Sequence, residues 1–348
     1  MKTETIVLNE TRNVTLTAYR LDCGEGFGCV PKRPAVLVLP GGGYQMCSDR
    51  EADPVALAYA KAGYQTFILR YSLGKDAVWP NPLDDYEQAM ALIREHADAW
   101  CLYPDKIAVI GFSAGGHLAC AAATMAQNRP NAAILGYAVA GAEVKACCPT
   151  APDTIAQVDA LTPPCFLFAT RTDNLVPIHN SIDFMSALAA QGIAFESHIY
   201  AYGPHGFSTC ESTIQDMRPE TICQRTSHWV EDSIGWLRDV FGECSVNGMG
   251  EPLCPSHMND DHEPFLSVAC TFGHLMQNET AAAILQPMID ALISNLSDNA
   301  AGMAAAFDDS DGPSMVQGMK LCDLLAYGNI SDEALQALDA QLHQIENK

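Results

Sequence analysis

From about residue 4 to residue 241, short apolar and β-branched runs alternate with longer stretches of helical period. The runs Ala35–Leu39, Thr66–Leu69, Ile107–Ile110, Ala133–Tyr137 and Phe166–Ala169 are hydrophobic almost without a break. Strands with one wet face alternate polar and apolar, so these runs predict a parallel sheet covered on both sides. Phe195–Tyr200 predicts one strand more. Helices are predicted between them, over about 51–62, 83–98, 114–126 and 178–191. The last helix of this region, about 222–241, gathers Trp229, Ile234, Trp236, Leu237 and Val240 on one apolar face. Repeated strand–helix–strand units predict a doubly wound α/β sheet, with the runs near 4–8 and 13–19 as its antiparallel start.

After residue 242 the pattern changes. Gly242, Gly248, Gly250, Pro252 and Pro255 mark a linker, and no strand signal follows it. Ile284, Leu285, Met288, Ile289, Leu292, Ile293 and Leu296 recur at helical spacing, with Pro287 expected to kink or restart that helix. Another helix is predicted from Pro313, with Met315, Met319 and Cys322 on one side. The last begins at Ser331, an N-cap with Asp332 and Glu333 in its first turn. Its apolar positions are Leu335, Leu338, Leu342 and Ile345. The expected organisation is a catalytic domain over 1–242, a linker over 243–261 and a helical domain over 262–348. Apolar helix stripes must be covered by each other, by the first domain or by a second subunit, so a homo-oligomer is one expected arrangement.

Charge narrows the partners. The 348 residues carry 42 acidic and 19 basic side chains, a formal charge of −23. No Lys/Arg cluster offsets this field, so neither nucleic acid nor an anionic membrane surface is an expected partner. The opening residues lack the long apolar run of a signal peptide, and nothing reaches membrane-spanning length, so a soluble cytoplasmic protein is expected. The 14 cysteines are spread through a large chain without a CxxC pair, which predicts reduced and mostly buried thiols. Cys254, His257, Asp260, Asp261 and His262 are metal-ligand types, but they sit in the Pro- and Asn-containing connector without a second spaced pair. No metal or cofactor is expected.

The chemistry is concentrated in three places. Lys106–Leu118 contains Gly111-x-Ser113-x-Gly115 between a predicted strand and an Ala-rich helix, the setting of a nucleophile elbow. Leu39-Pro40-Gly41-Gly42-Gly43-Tyr44 leaves the Val-rich strand; successive glycines let backbone N–H groups approach a substrate oxygen. It lacks the Lys of a GxxxxGK[ST] phosphate loop and does not fit GxGxxG. The expected oxyanion donors are the N–H groups of Gly42, Gly43 and Ala114. Asp173 follows the strand 166–169, and His205 follows the strand 195–200 in Gly203-Pro204-His205-Gly206-Phe207. Ser113, Asp173 and His205 thus stand in the chain order nucleophile, acid, base, which is the order a triad takes when a nucleophile elbow precedes its partners on later strand-end loops. Of the rivals, His198 lies within a strand, His117 follows the elbow on its helix and is expected to be structural, and His179 comes too soon after the acid. Asp183 is the second choice for the acid.

These segments resemble the bacterial acetyl-xylan-esterase-like branch of the α/β-hydrolases, over about residues 30–240 and including Asn180-Ser181 after the acid. The resemblance implies the α/β-hydrolase fold and hydrolysis of small acyl esters, notably acetyl groups on xylo-oligosaccharides. It carries the triad over as Ser113, Asp173 and His205. Pro40 departs from the His of the lipase-type His-Gly-Gly-Gly loop, and the tail after 242 lies outside the shared pattern. Tyr44 and Trp79 are candidates to stack on a sugar or bound the acyl pocket; equally, Trp79 is expected to pack its loop onto the core. The competing classes are a prolyl-oligopeptidase-like peptidase and a non-catalytic hydrolase-fold binding module.

Overall fold

The computed structural model describes residues 1–24, 29–296, 316–327 and 330–347, with only the backbone of 290–296. The expectations for Pro313 and Met315, and for the side chains of Leu292, Ile293 and Leu296, lie outside the described residues. The chain divides into two compact units, Met1–Ser256 and His257–Lys348.

The first unit is built on eight strands: β1 (Lys2–Asn9), β2 (Val14–Arg20), β3 (Arg33–Leu39), β4 (Gln65–Arg70), β5 (Leu102–Phe112), β6 (Ala132–Gly136), β7 (Cys165–Thr170) and β8 (Phe195–Tyr200). Their order in the sheet is β1-β2-β4-β3-β5-β6-β7-β8. β1 pairs antiparallel with β2, and β2 with β4; every later pairing is parallel. Five helices flank the sheet: α1 (Asp53–Lys61), α2 (Asn81–Glu95), α3 (Ser113–Thr124), α4 (His179–Ala190) and α5 (Trp229–Phe241).

The unbroken hydrophobic runs have a direct cause. Successive strand residues point to opposite faces, and here both faces are covered. Leu37, Leu39, Val109, Leu135 and Leu167 join one core with α2, α3 and α4 residues such as Met90, Leu118 and Phe184. Val36, Val38, Ile110, Ile134, Phe166 and Phe168 join the other with Val55 and Tyr59 of α1 and Trp229 and Leu237 of α5. Parallel strands place their C-terminal ends along one edge, so the loops after β3, β5, β7 and β8 converge there.

The segment read as a linker departs from that reading near its start. Cys244–Ser245 and Gly248–Met249 form a two-stranded hairpin, β9 and β10. A pair so short has no hydrophobic period to betray it. Gly242 (φ +88°) makes the turn into it, and a Cβ there would lie 2.0 Å from the Gly250 oxygen.

In the second unit, α6 (Phe272–Gln277), α7 (Glu279–Leu296), α8 (Leu321–Ala326) and α9 (Asp332–Leu342) gather Leu266, Phe272, Leu275, Leu285, Leu321 and Leu338 into a core of their own. α7 runs through Pro287 without restarting. Ser331 caps α9, its Oγ accepting the Ala334 N–H at 3.3 Å. Asp260 and Asp261 accept hydrogen bonds from the Ser267 and Thr271 hydroxyls at 2.6 and 2.7 Å. No helix among the described residues is long and apolar enough to cross a membrane.

Candidate active site

The elbow is built by close packing of backbone. Ser113 has φ +54°, a left-handed conformation costly for a residue with a Cβ and held only where surroundings enforce it. A Cβ on Gly111 would lie 2.1 Å from the Gly115 oxygen, and one on Gly115 would lie 2.2 Å from the Leu39 oxygen. Both positions therefore exclude side chains. Phe112 is still extended, and α3 begins at Ser113, so the hydroxyl stands above the N-terminus of a helix whose first amides lack intrahelical acceptors. The Val139 N–H donates to the Ser113 carbonyl at 3.2 Å, tying the elbow to the strand-end loop beyond β6.

Two further loops bring partners to that hydroxyl. Ser113 Oγ lies 2.8 Å from His205 Nε2, and His205 Nδ1 lies 2.7 Å from Asp173 Oδ2. An ionised carboxylate can only accept, so Nδ1 carries the proton and Nε2 is left to accept from the serine. The Asp173 side chain is almost fully buried, and its other oxygen accepts the N–H groups of Leu175 and Val176 at 2.8 and 2.9 Å. The acid and base loops are latched together. Asn174 Oδ1 accepts the His205 N–H at 3.2 Å, and Thr172 Oγ1 accepts the Gly203 N–H at 3.0 Å.

The glycine loop closes the third side. Gly42 and Gly43 have φ +134° and +61°, and the Gly42 carbonyl accepts the N–H groups of Gln45 and Met46 at 3.0 and 3.2 Å. Among the described residues, neither Gly42 nor Gly43 directs its own N–H to a protein acceptor. Gly42, Gly43 and Ala114 line one cleft of about 600 Å³ together with Ser113 and His205. Its remaining wall is largely apolar, with Met46, Val139, Cys147, Leu175 and Val176, and carries Arg50, Glu51 and Glu143 as charged groups. Such an arrangement is equipped to activate a hydroxyl and stabilise an oxyanion beside it.

The other sequence candidates fall elsewhere. Tyr44 does not face the cleft: its ring is wholly buried, and its hydroxyl donates to His117 Nδ1 at 2.7 Å. Trp79 is not among the lining residues either; it packs edge-on against His117, ring centres 5.6 Å apart. The aromatic character that suggested a sugar platform serves the core beneath the elbow. His198 stacks on Phe166 and bonds Glu196. His179 pairs with Glu143, whose carboxyl that bond holds below its usual range. Asp183 is exposed and does not line the cleft. All fourteen thiols are free, seven of them buried and only Cys29 exposed.

His117 gives a pH test of this packing. Its Nε2–H donates to the Pro152 carbonyl at 2.8 Å, so the ring is neutral with both nitrogens occupied. Burial pushes its pKa from 6.5 to about 4. The unfolded chain binds a proton that the folded ring refuses, so this stability is complete above about pH 6.5 and is lost as pH falls towards 4. The loss amounts to roughly 3 kcal/mol. Thermal unfolding should therefore show a decline over that window that is shallower in His117→Gln; equal slopes would reject the assignment.

Glu51 borders the cleft and Tyr137 packs edge-on to His205, ring centres 5.0 Å apart, yet the sequence pattern singles out neither. Glu51 reads as an ordinary acid at the start of the helix predicted over about 51–62, and Tyr137 as the end of a buried strand. No local signal distinguishes them.

Comparison with known proteins agrees with the fold. The BD-FAE family matches residues 30–151. The crystal structure of MGS-M1, an α/β hydrolase from a Medee basin deep-sea metagenome library, is 41% identical, with a TM-score of 0.65 over 69% of this chain and 98% of that one. An acetyl ester-xyloside bifunctional hydrolase from Caldicellulosiruptor lactoaceticus is 28% identical, with a TM-score of 0.57 over 66% of this chain and 88% of that one. An acetylxylan esterase of Xylanibacter ruminicola is 31% identical over 202 residues, 51% of this chain and 42% of that protein. The chain spans about half or less of the length of the curated relatives it matches.

Proposed function

The chain belongs to the α/β-hydrolase superfamily, and on that premise we propose that it is a serine carboxylic-ester hydrolase of the acetylxylan-esterase-like branch, acting on small acetylated carbohydrates. The observation that carries this reading is the continuous chain Ser113–His205–Asp173, at 2.8 and 2.7 Å, opening into one cleft with the glycine loop.

In this mechanism His205 Nε2 takes the Ser113 proton as Oγ attacks the ester carbonyl. The tetrahedral oxyanion is met by the N–H groups of Gly42, Gly43 and Ala114, while Asp173 stabilises the imidazolium. The imidazolium then protonates the departing alcohol, leaving an acyl-serine. Water, deprotonated by His205, attacks that ester and releases the acid and the free Ser113 hydroxyl. A fluorophosphonate should label Ser113 stoichiometrically and abolish turnover; an unlabelled, folded protein would count against the whole reading.

The acetyl preference rests on what the loops lack. The connection from β6 to β7 carries only short 3₁₀ turns at Ala142–Ala146 and Ile155–Gln157. With no helical cap in that connection, much of a long acyl chain stays in water and gains little of the roughly 0.8 kcal/mol available per buried methylene. The acetylxylan esterase relative and the acetyl ester-xyloside hydrolase support the same direction. Specificity constants over an ester series are expected to fall by about tenfold or more from acetyl to octanoyl. A rise towards octanoyl would overturn the acetyl assignment.

A further inference from the structure

We propose that Glu51 is a positioning residue whose buried carboxylate locks the glycine loop to the His205 loop and supplies a second negative charge beside the imidazolium. The role rests on the esterase reading above, with Ser113 and His205 as nucleophile and base.

Glu51 is only 3% exposed, although it borders the cleft. A carboxylate so buried is costly unless its oxygens are hydrogen-bonded, and both are. Oε2 accepts the Gly41 N–H at 2.8 Å, and Oε1 accepts the Tyr137 hydroxyl at 2.7 Å. The Tyr137 oxygen in turn accepts the Ser208 N–H at 3.1 Å. Amides at both ends of this path can only donate, so the phenol proton must go to Glu51. Every acceptor demand on Glu51 is therefore met by the ionised form; a protonated acid would set one donor against another.

The path joins the parts that must be in register for acyl transfer. Gly41 begins the proposed oxyanion loop, and a Cβ there would lie 2.7 Å from Glu51 Oε2 and from the Phe112 oxygen. Ser208 lies three residues beyond His205, its hydroxyl bonds the Arg50 carbonyl, and its own carbonyl accepts the Trp229 indole N–H at 2.9 Å. The Tyr137 ring stands edge-on to His205, centres 5.0 Å apart, and to Phe207 at 4.6 Å. Movement of Glu51 would thus be felt at the oxyanion donors and at the base together.

The surrounding charges favour a role in turnover. Tyr137 after β6 bonds this carboxylate. The titratable groups near it are Arg50 and Cys47 from its own segment, Tyr71 from the loop after β4 and His205 after β8; burial keeps the Cys47 thiol and the Tyr71 phenol neutral. Burial is the largest influence and raises the Glu51 carboxyl above its ordinary range, and the Tyr137 and Gly41 bonds and the charges of His205 and Arg50 offset that rise only in part. An imidazolium forms more readily beside a carboxylate than beside a neutral amide. Asp173 touches His205 directly; Glu51 acts through Tyr137 and through space.

Glu51→Gln keeps the shape and removes the charge. Its amide has one acceptor oxygen for two donors, so the path is broken at Gly41 or at Tyr137. We expect kcat to fall about 10- to 100-fold with KM little changed, because misplacement acts on the transition state more than on binding. The acidic limb of kcat/KM should also move to lower pH. Tyr137→Phe severs the same path but leaves the charge, so its kcat should fall while the acidic limb stays in place. Fluorophosphonate titration counts competent sites in each preparation. Failure of the wild type to label would overturn the esterase reading. A wild type that labels and turns over, matched by Glu51→Gln in both kcat and acidic limb, would overturn the Glu51 role alone. If Glu51→Gln does not fold, Tyr137→Phe decides: wild-type kcat in that variant rejects the strut.

Discussion

Ser113→Ala is expected to lower ester turnover on the order of 10⁵-fold or more while leaving the fold intact, since nothing but the attacking oxygen is removed. His205→Ala should be comparably severe, because members of one proton-transfer unit do not contribute additively. Asp173→Asn is the more discriminating variant. One oxygen of Asp173 already accepts the Leu175 and Val176 N–H groups. The asparagine oxygen must take that place, which turns its NH₂ towards His205 Nδ1. A donor there forces Nδ1 to accept and puts the ring proton on Nε2, where it can no longer take a proton from Ser113. A loss of roughly 10³- to 10⁴-fold in kcat follows. Steady-state kinetics on material of unchanged thermal stability is the measurement. Near-wild-type turnover in folded Ser113→Ala would reject the mechanism, and a mild Asp173→Asn would move the role of acid to another carboxylate.

Gly115→Ala should fail in a different way, by disrupting the elbow itself. Its Cβ would lie 2.2 Å from the Leu39 oxygen and 2.4 Å from the Pro40 oxygen. These are backbone atoms at the end of a central strand, and they cannot swing aside as a side chain would. Relief requires α3 to lift from the loop after β3, which separates Ser113 from the proposed oxyanion donors. Destabilisation of several kcal/mol is expected, with little fluorophosphonate labelling in whatever folds. Gly235→Ala in α5 is the control, since a Cβ there meets nothing within 4 Å. Replacing a helical glycine by alanine should be neutral or stabilising by up to about 1 kcal/mol. A Gly115→Ala protein with wild-type melting and labelling would show that the packing at the elbow is looser than these distances imply.

Much of the molecule is written in local pattern. Runs such as Ala35–Leu39 and Phe166–Ala169 are hydrophobic without alternation because both sheet faces are covered, so the parallel sheet is visible in the chain. Gly111 and Gly115 betray the elbow because only glycine tolerates backbone oxygens so close. The meeting of Asp173 and His205 with Ser113 is legible because parallel strands deliver their following loops to one edge, which makes position after a strand a statement about space. Local pattern misleads where it records residue type without destination. Tyr44 adjoins the glycine loop, yet its ring turns inward to His117, and Trp79 follows it there. The hairpin at 244–249 is too short for any period to register.

What only the tertiary structure decided is which distant side chains meet. Glu51 and Tyr137 are separated by 86 positions and share a bond because β3 and β6 end on the same edge of the sheet. Hydrophobic period and glycine placement are set by each residue's immediate backbone and burial, so they can be read one segment at a time. A buried carboxylate between two loops depends on the order in which the strands are laid side by side, and no single segment carries that order.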